Sequence, residues 1–155
     1  MRRAPPARPT VTDVKRFASV VLVDARGWIL LQERDEFPVI DPEKWGLPGG
    51  HLDGDEDPLT GAARELAEET GVDLAPEALT LWRDLEVFHE AYDSLDRMWV
   101  YAARADVTDD DIVVGEGRRI VFVDPAAVTG LDLTASARLT IPAFLDSDLY
   151  ASMAP

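Results

Sequence analysis

Cysteine is absent from the 155-residue sequence, which excludes a disulfide framework, a thiolate zinc site and a cysteine nucleophile together. Also missing is any apolar run near the ~20 residues needed to cross a bilayer. The opening, Met1 to Thr10, is basic and proline-rich but has no apolar stretch of the kind that marks an export signal. The expectation is a soluble, cytoplasmic protein. Positive charge is scarce as well: 15 Lys and Arg stand against 30 Asp and Glu, for a net charge of −15. That balance opposes polyanions, so DNA, RNA and anionic membranes are not expected partners. A phosphate-bearing small molecule would need a cation to mediate its approach, unless the acidity serves solubility alone.

What is present suffices for one domain, since 46% of the residues are hydrophobic and the length is near the commonest domain size. Residues 1–13 read as a disordered tail and 14–150 as a single domain, with a homodimer left open. Residues 17–23 and 28–32 are β-rich apolar runs separated by Asp24-Ala25-Arg26-Gly27, which reads as a hairpin. Residues 37–43 carry two prolines and no periodicity and read as a loop. Further strands are expected over 79–88 and 98–102, with 91–96 as their turn, and over 118–123. A short helical turn over 124–128 and a helix over 136–144, with Leu139, Ile141 and Phe144 facing inward, close the chain. The order of elements predicts an α/β (α+β) domain: a mixed β-sheet flanked by helices in an α/β/α sandwich.

Between these runs lies the segment with chemistry. Asp57 suits an N-cap, Pro58 the first helical position and Gly71 the left-handed residue that ends a helix. On a wheel of roughly 100° per residue, Glu68 and Glu69 fall near −60° and +40° from Glu65. Three carboxylates therefore share one face, beside an apolar stripe of Leu59, Ala62, Ala63, Leu66 and Thr70. An ordinary solvated face with an Arg64–Glu68 ion pair is the competing reading. Against it, Glu65 and Glu69 are like charges one turn apart. A divalent cation removes that repulsion, and hard Mg²⁺ or Mn²⁺ takes oxygen ligands of this kind.

At this point the residues resemble a known family. From Gly50, five residues lead to Glu56 and seven more to Arg64, after which Glu65-Leu66-Ala67-Glu68-Glu69-Thr70-Gly71-Val72 completes the Nudix box without a departure. The approach to it, Trp45 to Gly49, is also typical. The resemblance implies a MutT-type hydrolase that uses Mg²⁺ or Mn²⁺ to cleave a diphosphate linkage. Glu68 and Glu69 match the principal metal ligands, and Glu65 the carboxylate that binds metal or deprotonates water. The Gly50 carbonyl often adds a ligand, while Arg64 and Glu56 commonly pair to hold the loop against the helix. In several members the base comes from a late loop, for which Glu116, on what reads as a flexible loop between Gly115 and Gly117, is the first candidate and Asp109 to Asp111 the alternative.

Substrate contacts are sought in Arg34, at the end of the second strand, and in aromatic residues near the later hairpin, Phe88 and Tyr92, with His51, His89 and Trp99 as further possibilities. Each competes with a plain reading as core or surface. Signature residues that follow the box in some members, a proline for ADP-ribose hydrolases or a tyrosine for dinucleoside polyphosphate hydrolases, are missing from Glu86-Val87-Phe88-His89. By elimination the expected substrate is a small nucleotide, a nucleoside triphosphate or modified deoxynucleotide. A nucleotide sugar, ADP-ribose-like ones included, is the runner-up, followed by a non-catalytic nucleotide-sensing module. The diphosphate isomerases of the same fold fit less well, because their chemistry calls on a cysteine.

Overall fold

A computed structural model describes residues 14–155; the expected tail over 1–13 lies outside the described residues. Strand β1 (Arg16–Val23) is the spine of the sheet. Its sequence is apolar at nearly every position, the mark of a strand covered on both faces. Alternate side chains diverge accordingly, with Ala18, Val20 and Leu22 entering one core layer and Val21 and Val23 the other.

Around this spine the remaining strands, β2 (Ile29–Glu33), β3 (Trp45–Gly46), β4 (Gly49–His51), β5 (Thr80–His89), β6 (Ser94–Arg104) and β7 (Arg119–Val123), complete a seven-stranded mixed sheet. β1 runs parallel to β6, which forms a hairpin with β5. On its other edge β1 divides its partners. Residues 17–19 pair with β4, and Val23 turns back through residues 24–27 to β2. Because β1 and β2 diverge, a cleft opens between β4 on one side and β2, with its partners β3 and β7, on the other.

Helix α1 (Pro58–Thr70) seals one face of the sheet through Ala62, Ala63 and Leu66. Its ends are as the sequence predicts: the Thr60 amide donates to Asp57, and Gly71 takes φ 75°, a left-handed value that a side chain would strain. A single turn, α2 (Pro125–Val128), precedes α3 (Ala135–Leu145), which covers the other face through Ala137, Ile141 and Phe144. The layering is the predicted α/β/α sandwich. Among the described residues no helix is long and apolar enough to cross a membrane.

Three local expectations need correction. Leu139 is 54% exposed, because it stands roughly 200° around the helix from Ile141 and the two cannot share a face. The turn of the β5–β6 hairpin is shorter than 91–96: β6 begins at Ser94, after a 3₁₀ turn ended by Asp93 at φ 46°, a conformation that aspartate tolerates. A last helix, α4 (Asp148–Met153), was not expected; its start is set by Ser147, whose hydroxyl accepts from the Tyr150 amide.

Phe144 is fully buried and meets Trp82 edge to face, with ring centroids 5.4 Å apart. Phe144→Ala should cost about 3–5 kcal/mol in denaturant unfolding. A loss below about 1 kcal/mol would mean that α3 does not close this face of the core.

Candidate active site

The box helix is organised around one cation. Arg64 Nε and Nη2 each donate to Glu56 at 2.8 Å, while Nη1 donates to Glu65 and to Glu68 at 3.1 Å each. A further bond from Nη2 to the His51 carbonyl, at 3.3 Å, straps the loop that follows β4 to α1. The fork is bidentate on Glu56. It holds that carboxyl down at about 2, chiefly through the hydrogen bond from Arg64.

The three glutamates of the acidic face diverge in their surroundings. Glu69 is 5% exposed and accepts one bond, from the Gly49 amide at 2.9 Å. Burial pushes its carboxyl up to about 8, with the Gly49 bond opposing the shift and the nearby Glu116 carboxyl adding to it. Glu65 is half-buried and is also raised by burial, against the pull of Arg64. Its carboxylate lies so close to the Gly50 backbone that a Cβ on Gly50 would stand 2.9 Å from it. Glu68, by contrast, has its side chain 59% exposed. The expectation that all three border the core therefore holds for two. The wheel explains the split, because Glu69 is turned toward the apolar stripe and Glu68 away from it.

Glu116 reaches this cluster by a route other than the mobile loop expected from its flanking glycines. The Gly115 amide donates to the Glu69 carbonyl at 2.8 Å and the Val113 amide to the Thr70 carbonyl at 2.9 Å, satisfying carbonyls that a helix end leaves open. From the other side Gln32 Nε2 donates to the Glu116 carbonyl at 2.9 Å and the Arg118 amide to the Glu33 carbonyl at 2.9 Å. The backbone is tied at both ends. Asp109 and Asp111, the alternatives, are instead occupied with the Phe122 and Thr108 amides.

These residues open onto a cavity of about 380 Å³ in the cleft of the sheet, lined among others by Glu65, Glu69, Glu116, Gly50, Arg34, His51 and Tyr92. Arg34 is buried at Nε with no partner for that atom, and among the described residues it makes no ion pair with Glu33 or Glu36, the pairing that would have marked it as an ordinary surface arginine. Phe88 is not on this wall. It is 52% exposed and borders a second, adjoining cavity, because β5 turns alternate side chains outward. Trp99 packs partly buried against the α1 core layer. Two residues that the sequence reading passed over belong here: Gln32, which holds the Glu116 carbonyl, and Asp96, fully buried against His89. The hairpin register would have signalled the latter, since β5 and β6 pair His89 with Ser94 and so put Asp96, two residues further on, diagonally beside His89 on the same face.

Among the described residues no three carboxylates or imidazoles converge into a complete metal cage. The donor set fits a hard cation nonetheless. A buried carboxyl holding a proton against a neighbouring carboxylate is a site where a divalent ion relieves repulsion, and Mg²⁺ commonly takes only one or two carboxylates, with water and substrate phosphates completing its shell.

Fold and site together define an α/β/α domain that presents a partly buried carboxylate cluster beside a nucleotide-sized cleft. The NUDIX domain family model matches residues 14–144, and the chain belongs to that family. It is 38% identical over 74 residues to the m7GpppN-mRNA hydrolase NUDT17 of Bos taurus, a match that covers 48% of this chain and 24% of that protein. The fold is similar to the MutT protein of Methanosarcina mazei Go1, with TM-score 0.72, 23% identity and coverage of 84% and 92% of the two chains. It is also similar to a bifunctional NMN adenylyltransferase/ADP ribose pyrophosphatase of Francisella tularensis, solved with AMP and a Mn ion, with TM-score 0.68, 19% identity and coverage of 91% and 42%. The chain spans between about a fifth and two-fifths of the length of the curated relatives it matches.

The Glu69 carboxyl generates a stability prediction. Its folded-state pKa of about 8 exceeds the ordinary value of 4.5, so between those values the folded chain holds a proton that the unfolded chain has released. Stability must then fall as pH rises through this window and level off above about 8. The metal-free protein should lose roughly 1 kcal/mol between pH 7 and 8, as read by urea unfolding in EDTA. Glu69→Gln should remove that slope, and an equal slope in both proteins would assign it elsewhere.

Proposed function

We propose that the protein is a metal-dependent hydrolase that cleaves the diphosphate linkage of a nucleoside diphosphate joined to another group, with a nucleoside triphosphate or modified deoxynucleotide as the preferred substrate. The observation that carries the reading is the buried Glu69 carboxyl beside Glu116, at the floor of a cleft that also holds Arg34. Membership of the family supports it, as do the names of the relatives: one hydrolyses an mRNA cap, and another is a pyrophosphatase that was solved with a nucleotide and Mn. The net charge of −15 favours a small nucleotide over a polymer, because every added phosphate adds repulsion.

A divalent cation held by Glu65, Glu68, Glu69 and the Gly50 carbonyl would supply neutralisation of the phosphate oxygens and activation of water. The chain's own groups do the rest. The Arg34 guanidinium meets the phosphates as a planar donor fork. The Gly49 amide and α1 fix the Glu69 carboxylate, so little reorganisation accompanies the reaction. Glu65 and Glu116 are the groups suited to take the attacking water's proton, since both line the cleft beside Glu69 and burial raises the proton affinity of Glu65. Arg64 and Glu56 hold the loop and helix in register and stay out of the chemistry.

Two experiments test the reading. Purified protein assayed against a panel of some thirty nucleotide derivatives, with products identified, should turn over at least one only when Mg²⁺ or Mn²⁺ is present. Undiminished turnover in excess EDTA would sink it, as would no turnover of any nucleotide with either metal. On the best substrate, Glu69→Gln should lower kcat at least about a hundredfold, roughly 2.7 kcal/mol of transition-state stabilisation, in a protein that still folds.

Glu116→Gln should depress kcat at saturating substrate and metal while leaving stability within about half a kcal/mol. Partial recovery at high pH would identify a lost base, and a raised metal requirement a lost ligand. Kinetics equal to wild type would return Glu116 to an acidic turn.

A further inference from the structure

Beyond the carboxylate cluster, the cleft contains a second built arrangement, at the tip of the β5–β6 hairpin. Asp96 is fully buried. One of its carboxylate oxygens accepts from Ser94 Oγ at 2.7 Å and from the Lys15 amide at 3.1 Å, and the other stands 2.7 Å from His89 Nδ1. The imidazole is 7% exposed and packs edge-on against Phe17, with centroids 5.1 Å apart. A carboxylate in that position fixes the tautomer: Nδ1 carries the proton and donates it to Asp96, leaving Nε2 as the acceptor of the neutral ring.

Nε2 has no hydrogen-bond partner among the described residues, and His89 lines both the main cavity and the adjoining one, at their junction. A histidine serving only as a strut would need neither the fixed tautomer nor a place in the lining of two cavities. We propose that His89, oriented by Asp96, is a substrate-contact residue whose Nε2 accepts a hydrogen bond from a hydroxyl or amino donor on the nucleoside portion of the substrate. Asp96 is then a positioning residue. This contact rests on the nucleoside-diphosphate reading above but adds to it the element that recognises the organic part of the ligand, in the cavity that Arg34 and the carboxylates also line.

The contact is tested on the intact wild-type chain with α,β-methylene-ADP in Mg²⁺, using long-range proton–nitrogen NMR of its two histidines with calorimetry alongside. The free protein should show His89 as the Nδ1–H form, and saturation with the analogue should shift its Nε2 resonance. Asp96→Asn should release the fixed tautomer and weaken binding by about fivefold, the worth of one hydrogen bond. His89→Gln, which keeps an acceptor on a side chain of similar reach, should retain more affinity than His89→Phe. In turnover assays these changes should raise KM and leave kcat within about twofold. Binding of the analogue with the His89 resonances unmoved would overturn the contact and leave the hydrolase reading standing. No binding to the wild-type protein would overturn the nucleoside-diphosphate reading and this contact with it.

Discussion

Burying a carboxyl group at the last turn of a helix is expensive, and much of this domain is arranged around that cost. Glu69 contributes to three junctions at once: its side chain accepts from β4 through the Gly49 amide, its carbonyl accepts from the loop before β7 through Gly115, and its helix is sealed against β1. Remove the carboxyl and β4 loses this tie to α1, while the main-chain bond to the Glu116 loop remains. The price appears in the ionisation, since burial favours the neutral acid until another positive charge arrives. The fold accepts local instability at the position where a cation would be bound, which is how strained functional sites persist in otherwise consistent structures.

Arg64 supplies the counterweight. Four carboxylates, Asp53, Glu56, Glu65 and Glu68, lie within ion-pair distance of this one guanidinium. Such a ratio leaves the helix face negative overall. A neutral network would resist a metal ion, and an unpaired one would drive the loop away from the helix. The strongest contact, to Glu56, fixes the loop, whereas the weaker contacts to Glu65 and Glu68 leave those groups free to exchange a shared arginine for another cation.

How much of this was legible beforehand depended on whether a feature was local in sequence. The caps of α1 and the spacing from Gly50 to Val72 lie within one segment, the caps readable from propensity and the spacing from its resemblance to the Nudix box. The longer strands along the chain were accessible for the same reason, whereas the parallel pairing of β1 with β6 and the short strands β3 and β4 depend on contacts distant in sequence. The unequal burial of Glu65, Glu68 and Glu69 was half-visible: the wheel gave their angular order, but only tertiary packing decides where along that arc the protein ends and water begins. The Glu116 loop misled because flanking glycines were read as mobility. One of them is required by close contact instead, since a Cβ on Gly115 would meet the Glu68 carbonyl at 2.2 Å. The His89–Asp96 pair depended on a hairpin turn placed a few residues too late, an error that moves every cross-strand neighbour.

On the proposed reading the cleft poses two different physical problems. Phosphate oxygens would have to be brought against glutamates in a chain that carries −15 overall, so that attraction would have to be local and short-ranged: Arg34, and the cation the carboxylates call for. An uncharged sugar or base would gain nothing from such a field and would need fixed hydrogen-bond geometry and flat surfaces. The rings of Phe17 and His51, with centroids 4.3 Å apart, and Tyr92 beside them supply those surfaces. Their proximity to β4 means that the same three residues, Gly49 to His51, carry both problems, with backbone toward the carboxylates and a side chain toward the rings. A shift in β4 would therefore disturb charge handling and ligand shape together. That shared dependence explains why β4 is fastened from two directions, by β1 through its register and by α1 through Glu69 and Arg64.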